Sequence, residues 1–194
     1  MKYYNISIRD NLAGGIMLGH IEGLTQYAER EIQFKELKKM AASPGDVSVS
    51  APIYLDGKLL PIIWSTETLM FVNDAIKEII CEKQKNGIEF APIKIHGKDT
   101  ANYSAIFPAL IFDCFDYEES IGRKRETRSG QAVEYSYILI DEDKVPPEVH
   151  LFRPSAAPNL FFISEKLMSS IREFSGLNKS GAIFFDYFEG YSLR

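Results

Sequence analysis

Four carboxylates and one arginine come nearest to chemistry in this sequence. Asp113 and Asp116 stand three apart after the apolar run Ala109-Leu110-Ile111-Phe112, with Glu118, Glu119 and Ser120 directly behind them. Paired carboxylates divide acid and base work only when their surroundings push their pKa values apart. On a strand leaving a sheet, residues at i and i+3 fall on opposite faces unless a turn folds them together. The plainer reading has Asp116 capping the next turn and Ser120 bonding back to it. Arg153 follows Leu151-Phe152 and precedes Pro154. An arginine after two large apolar residues sits half-buried and needs a carboxylate to pair with. Asp113 or Asp116 is the expected partner, and such a pair would be architectural. On the alternative reading, Asp113, Asp116 and Arg153 form the site of a small enzyme.

Other chemistries find less support. His20, His96 and His150 are scattered and read as surface or loop residues, and the two cysteines have no metal-ligand spacing. Gly97-Lys98-Asp99-Thr100 resembles the end of a phosphate loop, but the glycine needed upstream is absent, so it reads as a hairpin turn. No Gly-x-Ser-x-Gly elbow occurs. Cys114, at the end of an apolar strand, reads as a packed thiol and not a nucleophile. The basic run Arg123, Lys124, Arg125 and Arg128 has no aromatic residues among its charges, which argues for a solvated, mobile loop and not for nucleic-acid contact. The sequence thus calls for no catalytic residue, metal or cofactor.

Bulk properties narrow the class. Apolar residues make up 45% and charged residues 25%, the balance of a soluble globular protein, and 194 residues fit a single domain. A net charge of −5 argues against nucleic acid or an anionic membrane as partner. Two cysteines, no apolar leader and no apolar stretch of about 18 residues point to a protein of the reducing cytoplasm.

The elements that must position these residues follow from periodicity and punctuation. Residues 3–9 alternate as a strand, 11–15 turn, and 16–21 form a second strand. Thr25 is placed to N-cap a helix reaching Met40, stopped by Ser43-Pro44-Gly45-Asp46. Residues 47–63 read as a hairpin turning at Asp56-Gly57. An apolar run then leads into Asn73-Asp74, a helix to Lys85, Asn86-Gly87 in left-handed geometry, and a strand over 88–95. The C-terminus repeats this grammar: Leu160-Phe161-Phe162-Ile163, a cap at Ser164-Glu165, a helix to Phe174, Gly176 and Gly181, and an exit strand over 182–188. Aligned, Phe71 matches Phe162, Asn73 matches Ser164, and Phe90 matches Phe184. Between the copies, residues 103–112 read as one strand interrupted at Pro108, which marks an edge or a bulge. A strand over 135–140 follows the basic loop. The expected fold is α+β, a mixed, mostly antiparallel sheet carrying two related strand–helix–strand units. Residues 1–46 form an N-terminal strand and helix region, and 47–194 the duplicated core of one domain.

The order of these motifs carries a resemblance. Asp113-x-x-Asp116-x-x-x-Ser120, a variable loop, a strand ending in Asp141, then Leu151-Phe152-Arg153 and an apolar run into Ser164-Glu165 with Gly181 and Phe184 together resemble a family of bacterial immunity proteins of polymorphic toxin systems. The resemblance covers about residues 60–188. The first copy departs from it, with Asn73-Asp74 where Ser-Glu is typical, though the capping chemistry is kept. The resemblance implies a binding protein, not an enzyme, whose partner is a cognate toxin. Expected contacts are Glu118, Glu119, Arg123, Arg125, Arg128, Glu142 and Asp143, because docking surfaces rely on complementary charge. Asp113, Asp116, Ser120, Arg153, Ser164 and Glu165 are assigned to maintaining the fold.

Overall fold

A computed structural model of the chain describes residues 1–7, 15–26, 28–43, 49–66, 69–98, 102–116, 120–127, 130–137, 139–175 and 183–185. In chain order the elements are β1 (Tyr3–Ser7), β2 (Met17–Leu18), α1 (Arg30–Ala41), β3 (Ser50–Ala51), β4 (Ile53–Leu55), β5 (Ile62–Ser65), β6 (Met70–Asn73), α2 (Asp74–Lys83), β7 (Ile88–Ile95), β8 (Tyr103–Pro108), β9 (Ile111–Phe112), β10 (Ile121–Thr127), β11 (Gly130–Tyr137), a 3-10 turn (Glu142–Lys144), β12 (Leu151–Pro154), β13 (Phe161–Ser164), α3 (Glu165–Ser175) and β14 (Ile183–Phe185). The fold is α+β with mixed, mostly antiparallel sheets. One sheet runs β3-β7-β8-β6-β5-β2-β4, another β14-β1-β13-β12-β9, and among the described residues β10 pairs with β11 alone.

The two strand–helix–strand units share one local design. Asn73 accepts a hydrogen bond from the Ile76 N–H (3.0 Å) at the start of α2, and Ser164 Oγ accepts from the Leu167 N–H (3.2 Å) at the start of α3. Each cap satisfies a backbone donor that the first helical turn leaves free. Ile76 and Ile80 of α2, and Leu167 and Ile171 of α3, point into the core, and α2 packs on α3. Helix α2 stops at Lys83, short of the expected Lys85, because Gln84 turns extended, and Gly87, at φ +75°, makes the left-handed bend that leads into β7. A Cβ there would lie 2.3 Å from Leu110 Cγ.

The correspondence in strand pairing extends well past these units. β6 and β7 both pair antiparallel with β8, which lies between them; β13 and β14 both pair antiparallel with β1, which takes the same place. β5 then lies antiparallel to β6 as β12 does to β13, and β2 runs parallel to β5 as β9 does to β12. The registers agree. Asn73 faces Tyr103 and Ser164 faces Tyr3; Met17 pairs with Trp64 and Ile111 with Arg153. The last strand of the second unit therefore comes from the N-terminus.

Four of the expected elements need correction. The helix expected from Thr25 begins at Arg30, and Thr25 instead donates its backbone N–H and hydroxyl to the Glu36 carboxylate of α1 (2.8 and 2.7 Å). The expected 47–63 hairpin does not close on itself, because β2 lies between β4 and β5. The interrupted strand 103–112 is two strands in different sheets. β8 is central and ends on Pro108, whose missing N–H costs the ladder nothing there. The expected loop at 123–130 falls largely in strand β10, with Gly130 opening β11, since in a ribbon the pairing itself, not a buried apolar face, defines the strands. The turn at 11–14, Pro44 to Asp46, and Gly176 and Gly181 lie outside the described residues.

Most of the core lies between the sheets and helices. It gathers Tyr4, Ile6, Phe34, Leu37, Phe71, Ile76, Phe107, Leu151, Phe161, Ile163 and Leu167. Phe34 of α1 stacks on Phe107 (5.0 Å), which meets Phe161 edge-on (6.1 Å). A second cluster on the other face of β12 and β13 holds Tyr3, Cys114, Phe115, Val145, Val149, Phe152 and Phe162. Burial on both faces explains why β12 and β13 read as continuous apolar runs and not as alternation. No described helix is long and apolar enough to cross a membrane.

Candidate partner-binding site

The two units differ most in what they insert between corresponding strands. Between β2 and β5 the chain inserts α1, β3 and β4; between β9 and β12 it inserts β10, β11 and the 3-10 turn. The first insertion turns inward: Gln33, Phe34 and Leu37 of α1 are buried, and α1 packs on β7 and β8. The second begins at Asp113 and holds every residue expected to touch a partner.

Its root is a set of backbone bonds. Asp116 N–H donates to Leu139 O (3.1 Å), Asp141 N–H to Cys114 O (2.8 Å), and Ser120 N–H to Asp116 O (2.9 Å). Ser120 is buried, and its Oγ accepts from the Leu139 N–H (3.0 Å), closing the base of the ribbon. Cys114 is fully buried beneath it, with its thiol pushed up to about 12, chiefly by burial. That is the state of an inert packed thiol. Cys81 is exposed, and both cysteines are free.

Carboxylates gather beside this root. Asp141 accepts from the Asp143 N–H (3.3 Å), capping the 3-10 turn, and pairs with Lys144 (3.1 Å). The Asp141 hydrogen bond, with the charges of Asp141, Asp113 and Asp116 behind it, raises the Lys144 pKa above its ordinary value. Glu142 meets the N-terminal ammonium at 2.9 Å, so β1 is anchored at the same place. Asp113 is exposed and accepts from the Ser155 hydroxyl (3.5 Å), while Asp116 is half-buried. Asp143 is exposed and Glu142 partly so. Glu118, Glu119 and Arg128 lie outside the described residues; Arg123 and Arg125 are consecutive on one face of β10. Sequence reasoning missed Lys144 as the ammonium among these acids. The signal was present in Asp141-Glu142-Asp143-Lys144, an acid run ending in a base.

Arg153 does not meet the expected aspartates. Its guanidinium is buried, and the carboxylate beside it is Glu31 of α1 (3.2 Å). Its Nε donates to Pro108 O (2.7 Å), Nη1 reaches Pro158 O (3.4 Å), and the group lies 4.2 Å from the Phe107 ring centroid. Its backbone N–H donates to Leu110 O (2.9 Å). Arg153 therefore grips the crossover from β8 to β9, where the chain passes from one unit to the next. Hydrogen bonds from Lys35 and Arg153 hold the Glu31 carboxyl below its usual range. The partner was hidden because Glu31 lies 122 positions away, on a helix whose start was misread.

Ser164 and His150 form a second polar knot between the units. His150 is buried, contrary to its surface reading, and its Nδ1 lies 2.8 Å from Ser164 Oγ. Gln84, just past α2, accepts from the His150 and Leu151 N–H groups (2.6 and 2.8 Å) and donates to Leu151 O (3.1 Å). Glu165, exposed, accepts from the Tyr4 hydroxyl (3.5 Å). Ser164 is 0% exposed, so this serine–histidine contact cannot reach a substrate. Among the described residues, no group of three or more potential ligands is placed to hold a metal ion.

A family model described as "Immunity protein family (Imm11)" matches residues 29–187. No curated protein matches the chain at a significant level.

Proposed function

The chain belongs to the Imm11 immunity protein family, and on that premise we propose that it neutralises a cognate bacterial toxin domain by binding it directly in the cytoplasm of the producing cell. The family match carries this reading. The protein acts as a binder, with no reaction of its own. The proposed contacts are Glu118, Glu119, Arg123, Arg125, Arg128, Glu142 and Asp143. Support for that choice comes from the correspondence of the units: they share a scaffold, and these residues belong to the second unit's insertion, which has no counterpart in the α1, β3 and β4 inserted in the first. An insertion rooted on a repeated, well-packed frame is where a binding surface is expected. Its charges of both signs suit fast, selective association.

The experiment is co-expression of this chain with the toxin domain encoded beside it. Survival together with a stoichiometric complex on purification is the expected result. Survival without any complex would instead point to an enzyme acting on the toxin or its product, and toxicity that persists would overturn the reading.

A further inference from the structure

The β10–β11 ribbon is the described part of the fold least accounted for by folding alone. Its strands are seven and eight residues long, and among the described residues they pair only with each other. Two-stranded ribbons are marginal in water and present unpaired backbone groups along both edges. Natural proteins blunt such edges with charge, lysine above all, or with proline.

The two edges here are not alike. β10 carries Arg123-Lys124-Arg125-Glu126 in succession, a charged guard along its length. β11 carries Gln131-Ala132-Val133-Glu134-Tyr135-Ser136-Tyr137, with one charge, no lysine and no proline, and strong strand formers. The ribbon is also basic on an acidic chain: residues 121–137 hold Arg123, Lys124, Arg125 and Arg128 against Glu126 and Glu134, while the whole chain has net charge −5. By register, Arg123 and Arg125 share a face with Glu134 and Ala132 of β11.

We propose that the outer edge of β11 is a strand-addition site, where an acidic β-strand of the toxin domain extends the ribbon to three strands. This rests on the reading that the protein binds a toxin directly, and it specifies how. Main-chain hydrogen bonds along β11 supply affinity, as in other cases of strand addition. The basic residues of β10, one strand further in and about 10 Å from the added strand, set a positive field that favours an acidic strand and speeds its arrival.

Hydrogen exchange on the full chain, free and in complex with the toxin domain encoded beside it, tests this. The amides of residues 131–137 that do not bond to β10, every second one, are expected to slow at least tenfold in the complex, while those on the outer edge of β10 keep their free rates. A complex that leaves the β11 amides unchanged overturns the strand addition and leaves toxin binding standing. Amides on that edge already protected in the free chain also overturn it, because another segment of the same chain then occupies the edge. Failure to form any complex removes both readings. The triple change Arg123→Glu, Arg125→Glu and Arg128→Glu should slow association about tenfold and reduce its salt dependence, in a variant whose melting matches the parent. An unchanged rate overturns the acidic character assigned to the strand.

Discussion

Tyr3 and Tyr103 make the same bond in two places. Tyr3 faces the Ser164 cap and donates to Val149 O (3.1 Å); Tyr103 faces the Asn73 cap and donates to Leu60 O (2.7 Å). Burial, as the first cause, pushes both phenols from 10.0 up to about 12. In the unfolded chain each phenol loses its proton near pH 10, while the folded protein keeps both, so rising pH favours unfolding. The contribution of these two phenols is complete below pH 10 and is lost between there and about pH 12. Urea midpoints measured across that range should drop steeply for the parent and less for the Tyr3→Phe/Tyr103→Phe variant. At pH 8 that variant should be weaker by about 1 kcal/mol per lost hydroxyl. Parallel slopes for the two proteins would show that neither phenol is the titrating group. His150 sets the opposite limb. Burial first, then the positive charges of Lys166 and Lys83, holds its pKa below 6.5. The unfolded chain takes up the proton first as pH falls past 6.5, so stability declines until the folded value is reached and then levels off. His150→Gln should flatten that decline in thermal melts between pH 7 and 5; an undiminished slope would place the responsible proton elsewhere.

At the scale of elements, the two helix starts make a matched pair with unequal consequences. Asn73→Ala removes one cap bond and should cost about 1 kcal/mol. Ser164→Ala removes the corresponding cap and also strips the buried His150 Nδ1 of its neighbour, which adds roughly 1–3 kcal/mol for an unsatisfied polar group. Chemical denaturation of the two single variants should therefore rank Ser164→Ala as clearly worse. Equal losses would mean that His150 finds another partner once the hydroxyl is gone. Ser164→Thr, which keeps the hydroxyl at both contacts, should recover most of the loss. The same asymmetry explains why the first unit manages with asparagine: Pro61 stands at the register position that His150 occupies in the second, so no imidazole there needs a hydroxyl.

For the whole molecule, what was legible followed from local rules. Caps, the left-handed Gly87 and the strand over 88–95 are punctuated within a few residues of one another, so each could be read from the sequence, and the cap recurs at Ser164. Long-range pairing left no such mark. Nothing near Pro108 indicates that β8 and β9 part into different sheets, nothing near Arg153 indicates Glu31, and the basic ribbon has no apolar alternation. The largest concealed feature is the origin of β1. It fills between β13 and β14 the place that β8 fills between β6 and β7, yet it lies at the opposite end of the chain from both neighbours. A strand in that position cannot be a decoration. All described pairing between β13 and β14 runs through it, and Tyr3, Tyr4 and Ile6 are buried, each worth about 1.5–3 kcal/mol of apolar burial. Their sum approaches the entire net stability of a typical domain, about 5–15 kcal/mol. Deleting residues 1–7 should therefore unfold the second unit and abolish toxin neutralisation. Far-ultraviolet dichroism would register the loss, and a cooperative melt close to the parent's would contradict the placement of β1. A permuted chain that starts at residue 15 and carries residues 1–7 after residue 194, on a short flexible linker, gives the second unit the strand order of the first. It should regain a cooperative melt, because the duplication requires β1 to be present between β13 and β14 and not to be the first strand made.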